Sequence, residues 1–171
     1  MYFQEVGFKV YDTMIWRKPN PSVPSTNRYY DCFEYMFVLS KGKPKTLNLI
    51  EDKPNKTFGK SYKSINGIGA EYNHNGNTRD KTIKEFSRRH NIWDIAVGHN
   101  KTEHPAVFPE QLAKDHIISW SNEGDIVFDP FMGSGTTAKM AEETNRKWVG
   151  IELSEEYCDI IKERLRKEDL K

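Results

Sequence analysis

The stretch Val127-Phe128-Asp129-Pro130-Phe131-Met132-Gly133-Ser134-Gly135-Thr136-Thr137, followed by Gly150-Ile151-Glu152, decides how this chain is read. Ile126 to Phe128 is a short apolar run bounded by Asp125 and Asp129, the pattern of an interior parallel strand. Gly133 and Gly135 then let the backbone approach a ligand closely. Thr136 and Thr137 are placed to cap a helix through Ala138, Met140 and Ala141, whose N-terminal amides face the same point.

Arg146 to Glu152 reads as a second strand with a carboxylate at its carboxyl end. In such folds an acid about 20 residues past the first glycine takes the ribose hydroxyls, and Glu152 lies 19 positions beyond Gly133. Ser154 caps a final helix with Tyr157, Ile160, Ile161 and Leu165 on one face. Strand, glycine turn, helix start and ribose-sized acid together imply an adenosyl cofactor. Gly133, Gly135 and Ala138 also satisfy the dinucleotide fingerprint, but that fingerprint normally opens an N-terminal βαβ unit and this one comes late. A phosphate loop would need a Gly-Lys-Ser/Thr ending, which does not follow these glycines.

Further upstream, Phe8 to Trp16 and Tyr35 to Leu39 have strand composition, separated by Pro19, Pro21 and Pro24, which forbid regular structure. The expectation is an antiparallel pair joined by a long loop, forming one edge of a mixed sheet whose parallel part comes from the two cofactor strands. Residues 41–101 are lysine-rich and interrupted by Gly59, Gly67, Gly69 and Gly76, so a short helix over Thr82 to His90 and otherwise loop are expected there. Pro109 suits the first turn of a helix whose Leu112, Ala113, His116, Ile117 and Trp120 share a side.

A chain of 171 residues can bury one core, and 36% hydrophobic with 30% charged residues describes a globular protein. No apolar run approaches the roughly 18 residues of a membrane span, and no signal peptide opens the chain, so no membrane partner is expected. Cys32 and Cys158 are too few for a metal cage and point to a reduced, cytoplasmic compartment; His99 and His104 read as loop residues, and no metal is expected. The net charge of +1 hides a division: residues 41–101 hold thirteen basic against six acidic side chains, and residues 102–171 nine against fifteen. A basic middle beside an acidic cofactor unit suggests that one part of the surface meets a polyanion.

Four blocks, in order, resemble a known family. They are Ile15-Trp16-Arg17-Lys18-Pro19-Asn20, Glu34-Tyr35-Met36-Phe37-Val38, His104 to Leu112, and the Asp129 to Thr137 motif continuing to Gly150-Ile151-Glu152-Leu153 and Glu156-Tyr157. The chain resembles the C-terminal part of a DNA amino-methyltransferase of the N6-adenine or N4-cytosine type, in which the cofactor motif comes late. The resemblance implies a three-layer α/β sheet of the Rossmann-like methyltransferase kind, in permuted order and incomplete, with a basic insertion. It divides the chain into antiparallel edge strands over residues 1–40, a target-recognition insertion over 41–101 and a cofactor-binding part over 102–171.

The implied cofactor is S-adenosyl-L-methionine and the implied partner is DNA. Asp129, Pro130, Phe131, Gly133, Ser134, Gly135, Thr136 and Glu152 would hold the cofactor, with Pro105, Phe108 and Leu112 walling its pocket. Lys60, Lys63, Arg79, Lys81, Arg88 and Arg89 are the candidates for DNA contact, unless they merely solvate a loop. Several residues have a plainer role open to them as well: Asp129 as a turn cap, Glu152 as a surface acid, Phe131 as a core plug, and Trp16, Lys18 and Asn20 as ordinary surface in place of an active-site edge. The family's catalytic tetrapeptide, Asp, Asn or Ser followed by Pro-Pro-Tyr, occurs nowhere in these residues. No catalytic residue is therefore assigned. The expectation is a natural fragment, a truncated gene, or one subunit of a split enzyme whose second chain carries the remainder, inactive by itself.

Overall fold

The computed structural model describes residues 2–19, 26–27, 29–64, 79–97 and 108–166. In chain order the elements begin with α1 (Tyr2–Glu5), β1 (Lys9–Arg17), β2 (Phe33–Ser40), β3 (Glu51–Pro54), β4 (Ser61–Ser64), β5 (Arg79–Thr82), β6 (Phe86–Arg88) and β7 (Ile92–Asp94). There follow α2 (Glu110–Trp120), β8 (Ile126–Asp129), α3 (Thr136–Glu143), β9 (Lys147–Gly150) and α4 (Glu155–Arg166). They fall into two compact units, Leu49–His90 and the remainder of the chain.

In the larger unit, β1 and β2 form the expected antiparallel pair, with Arg17 opposite Phe33 and Lys9 opposite Ser40. The parallel neighbour of β1 is β7, not a cofactor strand, with Trp16 opposite Trp93. Strands β8 and β9 pair parallel as a two-stranded sheet of their own, Asp129 opposite Gly150. The single mixed sheet expected from the sequence is thus two sheets among the described residues, β2-β1-β7 and β8-β9. Nor is β8 an interior strand among the described residues: β9 is its one described ladder neighbour, and the face that carries Ile126 and Phe128 is exposed.

Helix α2 links the two sheets. Its Leu112 joins Met14, Trp16 and Trp93 in a buried cluster, with Met36, Val38 and Trp120 against it. One position on, Ala113 and then Ile117 pack with Met140 and Ala141 of α3, beside Val127 and Trp148. Adjacent residues on a helix diverge by about 100°, so successive positions serve different neighbours. A third cluster joins Met132, Ala138 and Ile161, closing α4 over the other side of α3. Burial of a side chain such as Met140 stabilises the fold by about 1.5–3 kcal/mol.

Among its described residues the smaller unit holds two antiparallel ribbons, β3 with β6 and β4 with β5. The helix expected over Thr82 to His90 does not form. Phe86 pairs with Pro54 across β3–β6, and Ile83 exchanges backbone hydrogen bonds with Lys60 and Gly59. Two apolar residues three apart were too short a signal to outweigh ladder pairing. None of the described helices is long and apolar enough to cross a membrane.

Candidate functional site

The turn from β8 into α3 begins with its backbone. Gly135 sits at the helix N-cap with φ 82° and ψ 24°, a left-handed conformation that glycine adopts without steric cost. Its N–H donates to Met132 O at 3.0 Å, and its own carbonyl accepts from Lys139 N–H at 3.0 Å. A Cβ on Gly135 would stand 2.8 Å from Ile161 Cγ1, so α4 closes directly on this residue. A Cβ on Gly150 would collide with Met132, which lies across the end of β9. Thr136 does not cap the helix as the sequence suggested, because the glycine makes no side-chain cap and the Thr137 hydroxyl turns instead to Asp129.

Both candidate acids are engaged. Asp129 Oδ1 accepts the Phe131 N–H at 2.9 Å and Oδ2 accepts the Thr137 hydroxyl at 2.6 Å, which is the geometry of a turn cap. Glu152 Oε2 accepts the Gly133 N–H at 2.7 Å, while Oε1 accepts from Leu153 and Ser154, each at 2.9 Å. The second acid therefore pins the glycine turn to the end of β9. The two carboxylates stand at the carboxyl ends of adjacent parallel strands, where α/β sheets bind ligands. Phe131 is 88% exposed and so does not plug the core.

An apolar cavity of about 530 Å³ lies between the two sheets, lined by Met36 of β2, Phe108, Leu112 and His116 of the α2 segment, Ile126 of β8 and Thr137 of α3. It brings together Phe108 and Leu112, as the sequence suggested, and reaches the first turn of α3. Gly133, Ser134, Gly135, Thr136 and Glu152 do not line it; Ser134 and Thr136 are buried on the side facing α4. His116 stands 4.6 Å from the Trp93 ring centroid, and burial lowers its pKa despite an upward pull from Asp115. Pro105 and Asn20 lie outside the described residues. Trp16 is core, its Nε1 donating to Ile95 O at 2.8 Å, and Lys18 pairs with Glu34 over the Trp16 ring.

Two side chains assigned no role from the sequence prove central. Glu110, at the start of α2, accepts from Lys139 at 3.0 Å and from Arg164 at 2.6 Å. Burial pushes the Glu110 carboxyl upward, but these two hydrogen bonds outweigh it and hold the pKa below its ordinary value. Arg164 also donates to Ser134 O at 2.9 Å. Glu110 belongs to the His104 to Leu112 block but had no assigned role, and Arg164 carries no sequence signal beyond its place near the end of an amphipathic helix.

Of the DNA candidates, Lys60, Lys81 and Arg88 are exposed on the smaller unit. Arg89 instead forms a two-oxygen ion pair with Asp52 across the β3–β6 ribbon. Lys63 and Arg79 belong to the β4–β5 ladder, opposite Asp80 and Ser64. Among the described residues no group of three or more His, Cys, Asp or Glu side chains could hold a metal ion.

Known proteins agree with this architecture. A family model described as DNA methylase, of N6/N4 type, matches residues 1–163. The orphan methyltransferase M.BamHII of Bacillus amyloliquefaciens is 54% identical over 97% of this chain and 66% of its own length. The type II methyltransferase M.SmaI of Serratia marcescens is 33% identical over 95% of this chain and 48% of its own. The chain thus spans between about half and two thirds of these relatives. Among solved structures, the M1.HpyAVI-SAM complex superposes with a TM-score of 0.59 at 29% identity, covering 95% of this chain and 66% of that one. With the α/β fold, the glycine turn and the matched model in agreement, this chain belongs to the DNA methylase family of amino-methyltransferases.

Proposed function

We propose that this chain forms the S-adenosylmethionine-binding and target-recognition parts of an enzyme that methylates an exocyclic amino group in DNA, N6 of adenine or N4 of cytosine. One observation carries the reading. The parallel β8–β9 pair sets Asp129 and Glu152 at neighbouring strand ends beside the glycine turn and the first turn of α3. Acids, a helix N-terminus and an adjoining apolar cavity match the hydroxyls, charged amino-acid end and adenine ring of that cofactor.

When bound, the cofactor supplies an electrophilic methyl group. The chain's own work is placement. Asp129 and Glu152 orient polar groups, Gly133 and Gly135 let backbone approach, and Phe108 and Leu112 exclude water. A target base must leave the helix stack for its amino group to meet the methyl in line. Contact with DNA falls to residues 41–101, through Lys60, Lys63, Arg79, Lys81 and Arg88, while the ion pair of Arg89 favours a structural part for it. The tetrapeptide ending in Pro-Pro-Tyr that grips the amine in this family is not in these residues, so the stretch by itself binds cofactor and transfers nothing.

A second reading, a module that completes a separate chain, is favoured by one observation. Each of β2 and β8 has a single described ladder neighbour, and Met36 and Ile126 from them line the same cavity. Calorimetry with S-adenosylmethionine and a labelled-methyl assay on duplex DNA, with and without a polypeptide carrying the tetrapeptide, test both. Saturable binding with transfer only in the mixture is expected. Absence of binding removes the cofactor assignment, and turnover by this chain alone removes the need for a second one.

A further inference from the structure

Resting on the cofactor assignment above, we propose that Arg164 of α4 is a positioning residue for the glycine turn, with Glu110 as the group that aims it. The guanidinium is a planar fork of fixed geometry. Here its Nη1 donates to the Ser134 carbonyl at 2.9 Å and its Nη2 to Glu110 Oε1 at 2.6 Å. Thr136 Oγ1 lies 3.4 Å from Nη1, and the Ser134 hydroxyl 3.5 Å. All the partners are half-buried or buried, Ser134 and Thr136 almost fully.

The Ser134 carbonyl and the Gly135 N–H belong to one rigid peptide plane. Arg164 holds the oxygen of that plane and the Met132 carbonyl holds its N–H, so neither end can rotate. Gly135 has a left-handed conformation, and its steric freedom would otherwise let the plane turn over. Glu110 is held in turn from α3 by Lys139 and sits two residues after Phe108 in the cavity wall. The fork thus couples the glycine turn to the segment that starts α2, and sets the spacing of the two sides of the site before any ligand arrives. Such preorganisation raises affinity without contributing a contact.

The test compares wild type with Arg164→Gln, Arg164→Lys, Glu110→Gln and the Arg164→Gln/Glu110→Gln pair. S-adenosylmethionine affinity, thermal midpoint and residue-resolved amide exchange are the readouts. Arg164→Gln is expected to weaken binding about tenfold and to speed exchange at Gly135 and its neighbours, leaving Ile161 protected. Arg164→Lys, which keeps charge but not the fork, should recover stability and not affinity. The pair should bind no more weakly than Arg164→Gln alone. Unchanged affinity and exchange in Arg164→Gln overturns the proposal. So does exchange raised equally along all of α4 with a matching fall in midpoint, the mark of a merely structural arginine. Should wild type fail to bind the cofactor, the cofactor assignment fails by itself; exchange confined to the turn still supports the positioning role, and none there refutes it.

Discussion

At the scale of single residues, the site is held by groups that satisfy backbone, and this decides what their loss does. Asp129→Ala removes an acceptor for one amide and one hydroxyl, and Glu152→Ala removes one for three amides. Each is expected to weaken S-adenosylmethionine binding by about 1 kcal/mol, the scale of a missing hydrogen bond at a partly buried site. Unchanged affinity in both, by titration calorimetry, would leave the pocket without its acids. The two should part in stability, the thermal midpoint falling further for Glu152→Ala because the glycine turn loses its tie to β9. Gly135→Ala forces a left-handed alanine at about 1–2 kcal/mol and drives its methyl against Ile161. Its thermal midpoint should fall by several degrees; a midpoint equal to wild type would mean that the turn adopts another conformation.

At the scale of elements, α2 concentrates the titratable chemistry. Folding lowers the pKa of His116 chiefly by burial, below the ordinary 6.5. As pH falls through that value the unfolded chain takes up a proton before the folded one, so stability declines from about pH 6.5 down to the folded pKa and then levels. His116→Phe keeps the stack on Trp93 and should flatten that decline in thermal unfolding followed across pH; a decline of the same size in the variant would assign it elsewhere. Glu110 acts in a lower window. Its depressed pKa contributes stability that is present above the ordinary 4.5 and lost as pH falls through the folded value, because Lys139 and Arg164 bind only the ionised form. Glu110→Gln should remove the lower loss and leave the upper one.

At the scale of the whole molecule, charge is divided as the chain is. The smaller unit, Leu49–His90, carries nine Lys and Arg against five Asp and Glu. Replacing Lys60, Lys81 and Arg88 together by Gln should weaken duplex DNA binding at low salt and reduce the slope of log affinity against log salt, by up to about 0.9 for each phosphate left unneutralised. A slope identical to wild type would place those three away from phosphate. The β8–turn–α3–β9 unit was legible in the residues themselves: strand, glycine turn, helix and strand-end acid are local patterns, and Val127, Gly135, Ala138 and Glu152 each follow from neighbours a few residues away. So was the β1–β2 pair, through aromatic and β-branched runs. The long-range contacts were settled by the folded chain alone. β7 pairs with β1 across more than seventy residues, Phe86 belongs to a ribbon and not a helix, and Glu110, Lys139 and Arg164 meet from three different helices. The physical reason is that periodicity records which face of an element is apolar, whereas ladder partners and the direction of a charged side chain are set by what folds against that face from elsewhere in the chain.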